Sequence, residues 1–288
     1  MRVLILGASG LLGSNLYEDY QNLSFVCGTK SAVSENNSSA DLIPYSLDLV
    51  HLGKIVDRNQ IDTIVNCIGL TNIEICENLP EKAWLINASF PGHLAKFCRN
   101  RDIKFVHIST DHFISPRRQI RDEHALMEPV NQYGYTKLEG ERSITFLNPQ
   151  ALILRVSFIG RNRFISNDNS LLSFVLSKLK NNETFNGYSD IFFSPVSASY
   201  IGRVIVKLTE LREFGIFHVG GSEALSKYDF SKRVALKVGA PTDLVQKSLS
   251  DLNESLVIRP KILALDSSKL GQYIELQDLN SSLSDVLR

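Results

Sequence analysis

Apolar positions along the 288-residue chain fall into alternating periods. Val3-Leu4-Ile5-Leu6 is an unbroken aliphatic run, the pattern of a strand buried on both faces of a parallel sheet. Leu11, Leu12 and Leu16 then begin a helical face. The pattern repeats as a strand over 23–28, a short strand over 42–49 with a helix over 51–59, and a strand over 62–69. A long helical period runs from Pro80 through Trp84, Leu85, Ala88, Leu94 and Ala95 to Cys98, and a strand follows over 104–108. Trp84 reads as a core residue of that helix, and Asn87 falls close to its apolar face. The polar stretches Ser31 to Asp41 and Thr71 to Glu77 read as loops. Further on the pattern is less regular, with strands at 151–156 and 215–219, helices at 171–179, 199–211 and 227–238, and a terminal helix. Strand–helix alternation followed by a mixed remainder predicts an α/β fold, a doubly wound parallel sheet with a smaller C-terminal lobe.

Charge and composition narrow the classes. Lys+Arg and Asp+Glu are both 31, so the net charge is zero and nothing favours a nucleic acid or an acidic membrane surface as partner. Cys27, Cys67, Cys76 and Cys98 form no C-x-x-C pair, and His51, His93, His112 and His124 have no ligand spacing, so no metal site is expected. His107 and His218 sit within strand patterns and read as packed core residues. No apolar run approaches the length of a membrane span, and the N-terminus enters a strand directly rather than a leader. The expectation is a cytoplasmic protein with no membrane partner; a homodimer is left open.

Gly7, Gly10 and Gly13 stand at G-x-x-G-x-x-G spacing between the first strand and helix, with Ser9 beside Gly10. Such glycines allow a tight turn, close approach of a phosphate and close helix–sheet packing, while the helix N-terminus offers free N–H groups to an anion. The spacing suits either a Rossmann-type turn, whose usual pattern is G-x-G-x-x-G, or an ordinary strand–turn–helix. At the end of the second strand, Thr29 and Lys30 occupy the place where an acidic residue would bond a ribose 2′-OH, which favours NADP over NAD; a surface lysine explains the cation equally well. Asp48 either accepts from an adenine amino group or caps the following helix. Gly69 ends a strand at the sheet edge where ligands sit in open α/β folds.

Thr110, Tyr133 and Lys137 carry the chemistry. Residues four apart share a helix face, so Tyr133 and Lys137 can project into one cleft. A tyrosine hydroxyl titrates near pH ~10, and a neighbouring ammonium favours its phenolate, which suits proton transfer near neutrality. Thr110, at a strand end, can bond the same carbonyl oxygen that Tyr133 protonates.

These motifs give the chain a resemblance to the extended short-chain dehydrogenase/reductases, and within them to the dTDP-4-dehydrorhamnose reductase family. The resemblance is carried by Gly7 to Gly13, Val65-Asn66-Cys67-Ile68-Gly69-Leu70-Thr71, Asn87 with Pro91-Gly92-His93-Leu94-Ala95, His107-Ile108-Ser109-Thr110-Asp111 and Asn131 to Glu141. Leu154 to Ser157, Gly215 to Val219, Ser226 to Phe230 and Arg259-Pro260-Lys261 with Leu265-Asp266 extend it over nearly the whole chain. It implies an NADP-binding Rossmann domain over 1–155, with sheet contributions from about 151–156 and 215–220, and a mainly substrate-binding lobe over 157–288. The implied cofactor contacts are Gly7, Ser9, Gly10, Leu11, Leu12, Gly13, Thr29, Lys30, Asp48, Leu49, Ile68, Gly69 and Leu70, together with Tyr133 and Lys137. Thr110, Tyr133 and Lys137 would be the catalytic trio, and Thr71, Thr110, Asp111, Phe158 and Arg259 would face the substrate.

The implied reaction moves hydride from NADPH (NADH remains an alternative) to C4 of a 4-keto-6-deoxy sugar nucleotide, with Tyr133 supplying the proton. Asp111-His112-Phe113-Ile114-Ser115-Pro116 departs from the family's Asp-Tyr-Val-Phe-x-Gly, and Phe158 replaces a tryptophan, so the sugar is left open. Arg161 and Arg163 read either as a diphosphate clamp or as solvated loop charges. Two other readings stand beside the reductase: a sugar-nucleotide epimerase or dehydratase holding NAD tightly, and a non-catalytic NADP-binding regulatory subunit.

Overall fold

A computed structural model describes residues 1–22, 25–31, 42–45, 47–112, 122–165, 170–250 and 257–287, with the backbone alone described at 22, 25–31 and 42–45. The loop expected after Ser31, the side chains of Cys27, Thr29 and Lys30, and the arginines 117, 118 and 121 lie outside that description.

In chain order the elements are β1 (Arg2–Leu6), α1 (Leu11–Asp19), β2 (Phe25–Ser31), β3 (Leu42–Tyr45), α2 (Leu49–Asn59), β4 (Thr63–Asn66), α3 (Ile73–Asn78), α4 (Pro80–Trp84), α5 (Phe90–Asn100), β5 (Lys104–Thr110), α6 (Gln132–Leu147) and β6 (Leu152–Val156). There follow β7 (Phe158–Ile159), α7 (Leu171–Lys180), β8 (Phe185–Tyr188), β9 (Phe192–Phe193), β10 (Val196–Ser197), α8 (Ala198–Glu210), β11 (Gly215–Val219), β12 (Leu225–Ser226), α9 (Lys227–Lys237), β13 (Val245–Ser248) and α10 (Leu279–Val286).

Among the described residues, seven strands form one sheet in the order β11-β6-β5-β4-β1-β2-β3, every pairing parallel. Strand order reverses beside β1, and that is where ligands enter open α/β sheets. Alternation along each strand divides the core. Val3, Ile5, Val106, Ile108, Leu152, Leu154, Phe217 and Val219 meet α1 and α8 on one face. Leu4, Leu6, Ile64, Phe105 and Ile153 meet α2, α5 and α6 on the other. On this second face the aliphatic row turns polar toward the strand C-termini. Asn66 pairs with His107, and Ser109 pairs with Arg155, which in turn pairs with His218. All five are buried.

A separate apolar cluster is formed by α7, α9 and α10 with the short strands, including Leu172, Phe193, Phe230 and Leu283. Tyr200, Ile201, Val204, Ile205 and Leu208 of α8 belong to the core of the sheet.

Several local expectations change. The stretch 71–77 is not all loop: Asn72 caps α3 through the Ile75 N–H (2.8 Å) and only Ile73 and Cys76 are buried, too few to give a period. The long helical period is broken by a π turn at Leu85–Ser89, a feature frequent at functional sites. Trp84 is 44% exposed rather than core, its ring 6.2 Å from that of Tyr135. The strand expected to reach Asp48 ends at Tyr45, and Asp48 accepts from the Val50 N–H (2.8 Å) as the N-cap of α2. Leu49, just inside the helix, packs against the α2–α5 core.

Candidate active site

The glycine turn has the geometry its spacing predicts. Gly7 holds φ at +81°, in the left-handed region, and a Cβ on Gly13 would stand 2.2 Å from the Gly7 carbonyl oxygen. Gly10 occupies the N-cap of α1, its own N–H donates to the Gly7 carbonyl (3.0 Å), and no side chain among the described residues caps that helix. Ser9 is held through its carbonyl, which accepts from Asn162 Nδ2 (3.0 Å). Arg163 is not a free clamp: it pairs with Glu18 (2.9 Å) and donates to Asn15 Oδ1 (3.0 Å) on α1. Arg161 is exposed, and its carbonyl accepts from Asn15.

Ile68, Gly69 and Leu70 follow β4 at the sheet edge, and the π turn fixes them there. Buried Asn87 accepts from the Leu70 N–H (2.8 Å) and donates to the Leu70 carbonyl (3.0 Å) and to Thr136 Oγ1 (3.2 Å). Thr71 is exposed beside them.

Thr110 ends β5, and Tyr133 and Lys137 stand one turn apart on α6, all three buried. The start of α6 is clamped from both sides. Asn131 caps it by accepting from the Gly134 N–H (2.9 Å) and donates to the Ile258 carbonyl (2.9 Å), while the Gln132 N–H donates to Glu77 (2.7 Å).

The electrostatics differ from expectation in one respect. Lys137 does not bring the Tyr133 phenol down: burial pushes it well above its ordinary value, and the Thr110 hydroxyl only partly opposes this. The ammonium instead turns under the sheet, donating to the Ile108 carbonyl (2.8 Å) and lying 3.2 Å from His107 Nε2. Burial lowers Lys137 to about 8, against the pull of Glu141 and Cys67.

Asp111 and His112 border Tyr133 on the outer side. Burial raises Asp111 to about 7 and lowers His112 to about 4, the latter helped by the cations of Lys227 and Arg259. The His112 ring meets that of Tyr133 edge-on at 5.4 Å, and its Nδ1 is buried with no hydrogen-bond partner among the described residues. Arg259 is exposed and ion-paired with Glu74 of α3, and Phe158 is partly buried in β7.

Three residues of this region were missed as functional. Lys227 gives no signal beyond its place in a motif. His107 reads as core and Asn66 gives no signal beyond its motif, because strand pairing, not sequence spacing, brings them together near Lys137.

The arrangement defines a class: a Rossmann-like parallel α/β fold with the start of α1 uncapped by any described side chain and a buried tyrosine–lysine pair at the same edge of the sheet. The family model for the RmlD substrate binding domain matches residues 1–288, and the chain belongs to that family. A probable low-salt glycan biosynthesis reductase of Haloferax volcanii is 29% identical over 94% of this chain and 91% of its own. A dTDP-4-dehydrorhamnose reductase of Mycolicibacterium smegmatis is 29% identical over 99% and 85%. The methionine adenosyltransferase 2 subunit beta of Rattus norvegicus is 27% identical over 93% and 81%. In fold, the chain superposes on a Bacillus anthracis dTDP-4-dehydrorhamnose reductase crystallised with NADP, with a TM-score of 0.85 at 22% identity over 99% and 98% of the two chains. No helix among the described residues is long and apolar enough to cross a membrane.

Proposed function

We propose that the protein is an NADPH-dependent reductase of the 4-keto group of a nucleotide-activated 6-deoxysugar, with Thr110, Tyr133 and Lys137 as its catalytic residues. The observation that carries this reading is the buried Thr110–Tyr133–Lys137 set at the same sheet edge as the uncapped start of α1. The reductases among the full-length relatives support it.

The pocket's chemistry fits the dinucleotide: the N–H groups of Leu11 and Leu12 in the first turn of α1 for a pyrophosphate, beside a Gly10 whose own N–H is taken by the Gly7 carbonyl (3.0 Å), and the Ile68–Leu70 backbone held open by Asn87 for the ring end. When bound, the reduced nicotinamide supplies the hydride. The chain's part is placement and proton supply. Thr110 orients the carbonyl oxygen, and Tyr133 gives its proton to the alkoxide as it forms. A phenol with a raised pKa holds that proton until negative charge develops beside it, and Lys137 then stabilises the phenolate left behind. Asp111 and Arg259, with Lys227 behind them, are the groups that would meet the sugar and its diphosphate; protonated Asp111 can donate to a hydroxyl.

The test is oxidation of NADPH, followed by its absorbance, with dTDP-4-dehydrorhamnose and other 4-keto sugar nucleotides. Turnover with none of them overturns the proposal. Purification with bound NAD and no net oxidation would point to an epimerase or dehydratase instead. The adenosyltransferase subunit among the relatives favours one second reading, a cofactor-binding regulatory subunit. Cofactor binding without turnover, plus a co-purifying enzyme, would support it.

A further inference from the structure

His107 is fully buried in β5, and both ring nitrogens have partners: Asn66 Nδ2 lies 3.1 Å from Nδ1 and Lys137 Nζ lies 3.2 Å from Nε2. Hydrogen positions follow from the network. The Ile68 N–H donates to Asn66 Oδ1 (3.1 Å), which turns the amide NH2 of Asn66 toward His107 Nδ1. An NH2 group only donates, so Nδ1 must present its lone pair, and the neutral ring carries its proton on Nε2, aimed at Nζ.

Nζ also faces the Ile108 carbonyl (2.8 Å), which only accepts. A charged Lys137 has no lone pair, so the Nε2–H meets it donor against donor. A neutral amine accepts the Nε2–H and still donates to Ile108. Turning Asn66 over would set its NH2 against the Ile68 N–H, moving the conflict without removing it. A doubly protonated ring gives no relief, because burial and the Lys137 charge hold His107 well below its ordinary value.

We propose that Asn66 and His107 are positioning residues for Lys137: Asn66 fixes the imidazole as its Nε2–H tautomer, and that N–H weakens the lysine's hold on its own proton. The other groups facing Nζ act the opposite way. Glu141, one turn along α6, and the Cys67 thiol, after β4, both favour the ammonium. Glu141 is itself engaged by Arg155, and burial pushes Cys67 up to about 12, so it stands as a neutral thiol. The sheet-side pair thus offsets the helix-side carboxylate, and Lys137 can lose or regain its proton near neutrality.

The tautomer does not depend on the reductase reading, whereas its kinetic consequence does, so the two are tested separately. In 15N NMR of the histidine-labelled protein, the His107 signal, identified by its loss in His107→Gln or His107→Phe, should report the neutral Nε2–H tautomer from about pH 6 to 9. Asn66→Asp, whose two oxygens can accept from both the Ile68 N–H and Nδ1–H, should switch it to the Nδ1–H tautomer. A wild-type ring protonated on Nδ1, or charged, overturns the proposal even if no sugar substrate is ever found.

If the protein is a reductase, kcat/KM should fall above about pH 8, as Lys137 loses the charge that stabilises the phenolate. His107→Gln, which can turn its amide oxygen to Nζ, and Asn66→Asp should each move that limb up by about one pH unit, a tenfold change in proton concentration. A lower rate with an unmoved limb in both variants would mean a merely structural role and would overturn the kinetic half.

Discussion

Two cations are buried behind α6, and they are held in opposite ways. Arg155 and Lys137 are 3% and 4% exposed. Arg155 lies in a closed network: its guanidinium donates to both Glu141 oxygens (2.7 and 3.0 Å) and to His218 Nε2 (3.3 Å), Ser109 donates to Glu141 (2.5 Å), and His218 Nδ1 is 3.2 Å from the Asp266 carbonyl. Lys137, one turn away, has a carbonyl and an imidazole for partners and hydrogen-bonds no carboxylate. Satisfied charges make a strut that fixes β5, β6, β11 and α6 to one another; an under-satisfied one keeps its proton exchangeable. Polarity alone therefore does not mark a site in this sheet. Incomplete satisfaction does.

That contrast can be broken from either side. Tyr133→Phe should reduce turnover by roughly 10²–10⁴ while cofactor affinity and thermal midpoint hardly change, because only the proton is lost; titration calorimetry beside steady-state rates checks it. Arg155→Met should do the reverse, costing about 3–5 kcal/mol in denaturant unfolding by stranding the Glu141 carboxylate, with the residual folded fraction still binding cofactor. Smaller, but on the active side, Asn87→Ala should weaken cofactor binding by about tenfold, since the Leu70 amide and carbonyl lose partners worth about 1 kcal/mol each and the loop loosens.

Asp111→Asn sharpens the comparison through pH. With its folded value raised to about 7, wild-type Asp111 keeps a proton that the unfolded chain releases near pH 4. Folded protein then binds more protons across that window, so stability falls as pH rises from about 4 to 7. Asparagine removes the loss. Because the residue is partly exposed, the expected difference is about 2 kcal/mol rather than the ~4 of a full three-unit shift. Equal pH dependence in the two proteins would show that Asp111 is not the group titrating.

The legible parts of the sequence are those where one local pattern decides the structure. Val3 to Leu6 announced a doubly buried strand, the three glycines the turn after it, and Tyr133 with Lys137 a shared helix face. Parts set by distant pairing were illegible. Phe185–Tyr188 pairs with Val245–Ser248, sixty residues on, and neither four-residue segment shows a period. The helical period places Asn87 close to the apolar face, but a period does not distinguish a π turn from plain helix. His107 looked like packing because its meaning comes from Asn66, 41 residues before, and Lys137, 30 after. The shared face of Tyr133 and Lys137 is thus readable from spacing, while the partners around Lys137 come only with the register of the sheet.

Asn131 has a consequence for how the site is held. Its oxygen holds the first turn of α6, while its nitrogen holds the Ile258 carbonyl beside Arg259. The two ends of one amide therefore separate two loads. Loss of the Ile258 contact would give up about 1 kcal/mol and leave the oxygen on Gly134, so a change at Ile258 does not by itself unwind the turn that carries Tyr133.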